Sequence, residues 1–599
     1  MACGPGRSGP VTPGRTRRLV VAGLPSLALG LVLAGGWAAH LGLSVRDHLE
    51  ATRAALLRLR PGALGPARSV AATLAEARGH AAEARRLTGG PDWALLTHLP
   101  VVGDGAATTR GLAASVADIT DVLTRVERAA APLLSAGARA PGDLRRALAA
   151  LDAMAPVLRD GATRVDAARS RVAGTPASTG LAALDGARDT ALREAGRLHG
   201  MLSQGAEAAA LLPPMLGRDG PRRYFLAFET NAEARGTGGL VGAFGVLKAD
   251  GGRVSITRLS ANTGMAASAE PVADLGSAFA SRYGRGATTT LSVSNLSPHF
   301  PYAAATWTGL WRRQTGQELD GAIATDPVGL SYILGAIGPV RLPGGGGTVT
   351  AGNVVDLTER EAYARYPDPA ERKKYLVRIA GAVSEALTGR LGEPTRLLPA
   401  FARMVGESRL TVWSRAGDEQ RRLASTPVGG VLPERREPYA GLVVNNSAGT
   451  KLDYYLDRSL TYELGPCRPD GLRTSRVRVR LTNDVPRGPL PAYVTGRLDD
   501  PRRPHAAGSN VLWVSLYAGI GAKATGVRLD GRPISFYSET ERSHPVYSKV
   551  LEFAPGQSRT LEFDLLEPYS AAAPVVPVQP LVRPQRTLVT ADVRGCGPS

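Results

Sequence analysis

The chain is 599 residues long, 43 % hydrophobic and 21 % charged, with a formal net charge of +19. That length accommodates roughly three to four domains, and the apolar content excludes a chain disordered throughout. Nearly all of the positive charge is arginine, lysine being confined to Lys248, Lys373, Lys374, Lys451, Lys523 and Lys549. With abundant Ala, Gly and Pro this fits a GC-rich genome, so the charge reflects either codon bias or an attraction to anionic partners. No zinc-finger spacing or single-strand stacking motif points to nucleic acid.

Residues 1–18 are a short tail carrying Arg7, Arg15, Arg17 and Arg18 and no acid. From Leu19 to Val45 no Asp, Glu, Lys or Arg occurs, a run longer than the ~20 residues that cross a hydrocarbon core as a helix. Pro25 is tolerable near the start of such a helix and Trp37 suits its outer interface. The charge bias predicts a single transmembrane helix over 19–45, with the N-terminus cytoplasmic and the C-terminal bulk extracellular. A cleaved signal peptide is the rival reading, because Ala34-Gly35-Gly36 resembles a small-residue cleavage site. Cys467 and Cys596 are the only cysteines beyond this run. A single pair is what an oxidising compartment uses, and a disulfide between them is expected, with Cys3 left in the cytoplasm. Neither has CxxC spacing, which argues against a metal or redox role.

Residues 46–212 are rich in Ala, Leu, Arg, Glu and Asp, with apolar residues at three- and four-residue spacing in Ser69–Leu87 and Gly111–Leu134. This predicts amphipathic helices forming a stalk or bundle, broken at Pro61-Gly62, Gly89–Pro91, Pro141-Gly142 and Gly174–Gly180. The character changes at Pro213-Pro214. Over 213–426, strands are predicted at Arg223–Glu229, Leu240–Lys248 and Arg253–Leu259, the last two flanking the hairpin turn Asp250-Gly251-Gly252, and at Glu318–Thr325. Asp326 is placed to cap a helix reaching Ile337, and helical pattern returns at Asn353–Ala364 and Ala370–Leu391. Alternating strands and helices argue for an α/β domain. Over 427–599, short alternating runs between Gly, Pro and Asp turns read as an all-β sandwich, with Pro574–Pro584 extended before a last strand.

The segment Asn231-Ala-Glu-Ala-Arg-Gly-Thr-Gly-Gly239 is the densest in chemistry. Its glycines would let backbone N–H groups approach a ligand in a turn. Arg235 offers a planar fork suited to phosphate or carboxylate, and Asn231 and Glu233 would bind a divalent ion or fix that arginine. The plainer alternative is a turn in which Glu233 pairs with Arg235. The eight histidines show no HExxH spacing, and neither a Gly-x-Ser-x-Gly elbow nor a GxxxxGK[ST] loop occurs.

The block RRYFLAFETNAEARGTGGLVGAFGVLKADGG, with LDGAIATDPVGLSYILGAIGPVRL and TAGNVVDLTEREAYARYPDPAERKKYL, strongly resembles the domain of unknown function 4012. That family is common in Gram-positive and especially actinobacterial envelope proteins, and the resemblance covers roughly Leu212 to Leu391. A weaker resemblance is to the LytR–CpsA–Psr phosphotransferases, which transfer anionic glycopolymers from polyprenyl-pyrophosphate carriers. Their Asp-x-Arg turn looks like Glu233-Ala234-Arg235, their Ile-Pro-Arg-Asp segment like Ile256-Thr257-Arg258-Leu259, and their paired arginines like Arg372 with Lys373 and Lys374. This chain lacks that family's arginine and metal-binding aspartate at Gly239–Gly242 and has Leu259 in place of a second aspartate. Retained arginines without retained acids imply an anion-binding pocket more than a catalyst.

The resulting expectation is a multidomain chain: transmembrane helix, helical stalk, α/β domain of LytR–CpsA–Psr-like build, and C-terminal β-sandwich. It would bind a phosphorylated glycolipid or glycopolymer through Asn231, Glu233, Arg235, Arg258 and Arg372 in wall or surface-polysaccharide assembly, without a cofactor. A glycopolymer phosphotransferase using a divalent metal, and a structural adaptor for other envelope proteins, are the alternatives.

Overall fold

The computed structural model describes residues 40–58, 67–135, 141–390, 394–500, 502, 504–592 and 594. All but the last six residues of the 19–45 segment lie outside that set. Among the described residues no helix is long and apolar enough to cross a membrane. The chain is multidomain, helical towards its N-terminus and β-rich towards its C-terminus. It separates into two compact units, the first reaching Ala210 without Gly137–Leu148, the second comprising that stretch and Leu211–Ser599.

The first unit is helical: α1 (residues 40–57), α2 (Ala67–Gly89), α3 (Pro91–Leu96), α4 (Gly103–Ser135), α5 (Pro141–Ala173) and most of α6 (Ala182–Met215). The breaks at Gly89–Pro91, Pro141-Gly142 and Gly174–Gly180 fall at helix boundaries as the turn residues dictate, and Pro61-Gly62 lies outside the described residues. Val122 of α4, Leu158, Ala162 and Val165 of α5, and Leu202 and Ala206 of α6 form one core. Val45 of α1, Ala84, Trp93 and Ala106 form another, capped by the Trp93 indole N–H donating to Ala106 O at 2.9 Å. The last helix runs through Pro213-Pro214, where the sequence marks a boundary. Burial of Leu211 and Met215, and the Tyr224 hydroxyl on Met215 O at 2.8 Å, hold its last turn against proline's propensity.

The second unit opens with β1 (Arg222–Arg235), β2 (Gly238–Asp250) and β3 (Arg253–Ala261), followed by α7 (Ser277–Tyr283), α8 (Phe300–Thr315), β4 (Gly321–Thr325) and α9 (Pro327–Ile337). The β2–β3 hairpin turns on Gly251 and Gly252, both at positive φ. Asp326 caps α9 as expected, its carboxylate accepting from Gly329 N at 2.7 Å. A two-stranded ribbon, β5 (Val340–Arg341) and β6 (Thr348–Val349), leads to α10 (Val354–Asp356), a π-helical turn at Leu357–Glu361, α11 (Ala362–Arg365), α12 (Pro369–Thr388), α13 (Pro394–Gly406), β7 (Leu410–Ser414) and α14 (Gly417–Ala424). The sheet order is β3-β2-β1-β4-β7, with β1 and β4 parallel and the other pairs antiparallel. Alternation along β1 sends Phe225 and Ala227 towards Trp307 and Leu310 of α8, and Leu226 and Phe228 towards Ile333 of α9 and Ile379 of α12. Helices therefore cover both faces.

Beyond this sheet come β8 (Ala440–Asn446), β9 (Leu456–Cys467), β10 (Leu472–Asn483), α15 (Ala492–Thr495), β11 (Asn510–Ala518), β12 (Lys523–Leu529), β13 (Arg532–Pro533), β14 (Tyr537–Glu541), β15 (His544–Phe553), β16 (Ser558–Pro568) and β17 (Gln585–Ala591). They form a six-stranded sheet, β13-β12-β16-β10-β9-β17, and a four-stranded sheet, β14-β15-β11-β8. Leu442, Leu512 and Tyr547 of the smaller sheet share a core with Leu460, Val477 and Phe563 of the larger. The segment before β17 runs beside β8, with isolated bridges at Tyr439–Val575 and Leu442–Val578. Strand β17 then pairs in parallel with β9, and Cys467 N donates to Arg594 O at 2.9 Å. Cys596 lies outside the described residues.

Candidate functional site

The Asn231–Gly239 segment is strand over most of its length, where the sequence suggests a glycine-rich turn. β1 continues to Arg235, and β2 starts at Gly238. Thr230 pairs with Leu240 and Ala234 with Gly239, so Asn231–Glu233 bulge out of the ladder. Buried backbone N–H groups released by a bulge need new acceptors. Glu359 supplies both carboxylate oxygens, taking Asn231 N at 3.2 Å and Ala232 N at 2.7 Å, and Asp453 takes Ala234 N at 2.7 Å. The π-helical turn carries Glu359, and Asn446 and Asn510 hold Asp453 through amide donors at 2.8 and 2.6 Å.

The charged side chains of the bulge are enclosed. Asn231 is 0 % exposed, and Glu233 and Arg235 are each 5 % exposed. Arg235 donates to Glu233 at 2.8 Å and to the Ser292 and Ala234 carbonyls at 3.1 and 2.9 Å. The second Glu233 oxygen accepts from the Lys451 ammonium. Burial pushes the Glu233 carboxyl up, but Arg235 and Lys451 outweigh it and hold the group below its ordinary value. A carboxylate so held is a weak proton acceptor.

The segment before β17 closes the cluster. Gln579 donates to Arg235 O at 2.6 Å and to Val444 O at 2.8 Å, Asn231 donates to Pro580 O at 2.8 Å, and Arg409 donates to Leu581 O at 3.1 Å. Arg409 also pairs with Asp326 at 2.7 Å. The glycines serve this packing. A Cβ on Gly236 would lie 2.2 Å from Leu296 O, and one on Gly239 would lie 2.3 Å from Thr230 O.

Two carboxyls can exchange protons near neutrality. Burial pushes Glu229 up to about 7, against hydrogen bonds led by Thr237 at 2.6 Å. Burial pushes Glu359 up to about 8, against the two backbone donors. Burial also raises Asp326 and Asp453. Each of these groups already has protein partners, and among the described residues no group of three or more His, Cys, Asp or Glu could hold a metal ion.

The remaining predicted residues divide. Arg372 on α12 is buried and joins the cluster's edge: its guanidinium carbon lies 3.8 Å from the Tyr493 ring centroid, and the Lys451 ammonium lies 5.4 Å from the same ring. It donates to Tyr366 O at 2.9 Å, and its Nη2 has no partner among the described residues. Arg258 is elsewhere. It sits exposed at φ 51° in an irregularity of the β2–β3 ladder, 5.7 Å from the Trp311 ring. Trp311 belongs to α8 on one sheet face and Arg372 to α12 on the other, so Arg258 does not join Arg235 and Arg372.

Sequence reasoning missed Glu359, Lys451, Asp453 and Gln579. The one available signal was Lys451, a lysine in an arginine-dominated chain, two residues before an aspartate. No curated protein and no solved structure matches the chain. Residues 219–363, which run from just before β1 past Glu359 to Tyr363, match the family described as "Protein of unknown function (DUF4012)", and this part of the chain is a domain of that family.

Proposed function

We propose that this chain is a membrane-anchored envelope protein, its apolar 19–45 segment holding the bulk outside the cytoplasmic membrane, and that it acts as a structural adaptor. One observation carries the adaptor reading. The motif richest in ligand chemistry is occupied internally, Arg235 by Glu233 and Glu233 by Lys451, which ties β1 of the DUF4012 domain to the β-rich part. Both cations are turned onto one buried carboxylate and away from solvent, which leaves no open charge for phosphate. The large paired sheets then present the surface on which other envelope components assemble.

Incubating the full-length protein in detergent with magnesium and a polyprenyl-pyrophosphate-linked glycan is expected to leave the lipid intact. Metal-dependent loss of the lipid, abolished by Glu233→Gln, would overturn the adaptor reading in favour of a LytR–CpsA–Psr-like phosphotransferase. Binding of a phosphorylated glycolipid without turnover is a second reading. It draws on the Arg372 Nη2, which has no acceptor among the described residues, and on the partly exposed Tyr493 ring beside that guanidinium. Loss of a co-purifying polyprenyl phosphate in Arg372→Gln, with unfolding unchanged, would favour it.

Export also predicts the state of the cysteines. The Cys467 N–H meets Arg594 O, two residues before Cys596. Alkylation of unfolded, non-reduced protein is expected to modify Cys3 alone. Modification of Cys467 and Cys596 as well would remove the disulfide and, with it, this support for an oxidising compartment.

A further inference from the structure

The loop between α3 and α4 is unusual for a helical unit. From Trp93 to Gly103 the sequence WALLTHLPVVG contains no Asp, Glu, Lys or Arg. Trp93 and Leu96 face the core, but four other apolar side chains point outward: Val101 is 96 % exposed, Leu95 66 %, Val102 49 % and Leu99 43 %. Leu181, 60 % exposed, lies beside them, since a Cβ on Gly105 would be 3.9 Å from its Cδ1. Val101 is also held at φ 74°, a conformation unfavourable for a β-branched residue. No core contact of Val101 requires that conformation; it places an apolar side chain at the outermost point of the loop.

The position of this patch indicates what covers it. The patch occupies one end of the unit, formed by the start of α4, the end of α5 and the start of α6. Gly111 near the start of α4 meets Thr175 just past α5, and Leu181 immediately precedes α6. α1 begins at the same end, with Leu41 and Val45 packing against Trp93 and Leu96. The residues immediately before α1 are the uncharged run from Leu19. The chain therefore enters the unit from its apolar segment at the end that carries the exposed leucines and valines.

We propose that this end rests in the bilayer interface, with Leu95, Leu99, Val101, Val102 and Leu181 immersed among lipid headgroups and upper acyl chains. The inference rests on the reading of 19–45 as a membrane anchor. Apolar side chains enter that layer by the same burial that drives folding. Asp92 and Asp104 flank the loop, and the five side chains themselves carry no charge, so the contact is one of apolar burial and forms on zwitterionic membranes. The anchor and the tip together stand the helical unit upright on the membrane.

The test uses the full-length protein with Cys3→Ser, reconstituted into phosphatidylcholine vesicles containing nitroxide-labelled lipid. An environment-sensitive fluorophore is placed at Val101→Cys or, as a distal control, at Arg125→Cys. Arg125 lies 22 residues into α4 from Gly103, about 33 Å along the helix at 1.5 Å per residue. The Val101 label is expected to be quenched about threefold more strongly than the Arg125 label. Equal, weak quenching in protein that still floats with the vesicles would overturn the tip contact while leaving the anchor. Protein that fails to float with vesicles would overturn both.

Discussion

Glu233→Ala is expected to destabilise the Leu211–Ser599 unit by roughly 3–5 kcal/mol, because it leaves two buried cations without their counter-charge. In the native protein Arg235 and Lys451 each hold one Glu233 oxygen, and none of the three side chains is more than 10 % exposed. Removing the carboxylate puts two positive charges in one low-dielectric space, with carbonyl oxygens and the Tyr493 ring left to stabilise them. Replacing all three residues with apolar ones of similar volume is expected to be close to neutral, since the desolvation penalty disappears with the charges. Urea unfolding followed by tryptophan fluorescence measures both. A loss below about 1 kcal/mol for Glu233→Ala would mean that water reaches the cluster and screens the pair. The variant also bears on function: if glycolipid binding runs through Arg235, freeing that guanidinium should strengthen binding even as stability falls.

Stability of the same unit is expected to fall as pH rises from about 4.5 to about 8. Burial lifts Glu229 from 4.5 to about 7 and Glu359 from 4.5 to about 8. Between those values the folded state holds protons that the unfolded chain has released, so raising pH favours unfolding. The contribution of Glu229 is fully present below 4.5 and lost as pH passes about 7, which corresponds to roughly 3 kcal/mol. Glu233 acts in the opposite sense, since its carboxyl is held below its ordinary value and its contribution disappears in acid. The stability maximum therefore falls in mildly acidic solution. Glu229→Gln keeps an amide oxygen to accept from Thr237 and Asn295 and is expected to flatten the decline between about pH 5 and about pH 7. A urea midpoint that rises with pH in wild type, or an unchanged slope in Glu229→Gln, would contradict this assignment.

Much of the architecture was legible from local pattern. Apolar spacing and the Gly and Pro breaks gave the helices of the first unit, and the Asp250-Gly251-Gly252 turn and the Asp326 cap were readable because each depends on a few adjacent residues. Pro213-Pro214 misled because burial of Leu211 and Met215 overrides local propensity. The path of the Asn231–Gly239 segment was not legible. A bulge is a relation between two strands, and its composition of Ala, Gly and Glu reads as a turn when the partner strand is unknown. Its charges were readable as an Arg235–Glu233 pair, but the groups that enclose them were not, because Glu359, Lys451 and Gln579 lie 128, 218 and 344 positions from their partners. Period and spacing carry no information at that range.

The closure of the cluster by Gln579 and Pro580 has a kinetic side. Arg235 and Asn231 are synthesised 344 and 349 residues ahead of the groups that seal them. Contacts of such sequence separation form late and slowly. A chain folding as it is made would complete the β1–β4 sheet while Glu233 and Arg235 were still wet, and commit to the native state only when the Gln579–Leu581 segment arrived. Chains cut short between Arg235 and residue 579 would carry this charged pair without the segment that covers it.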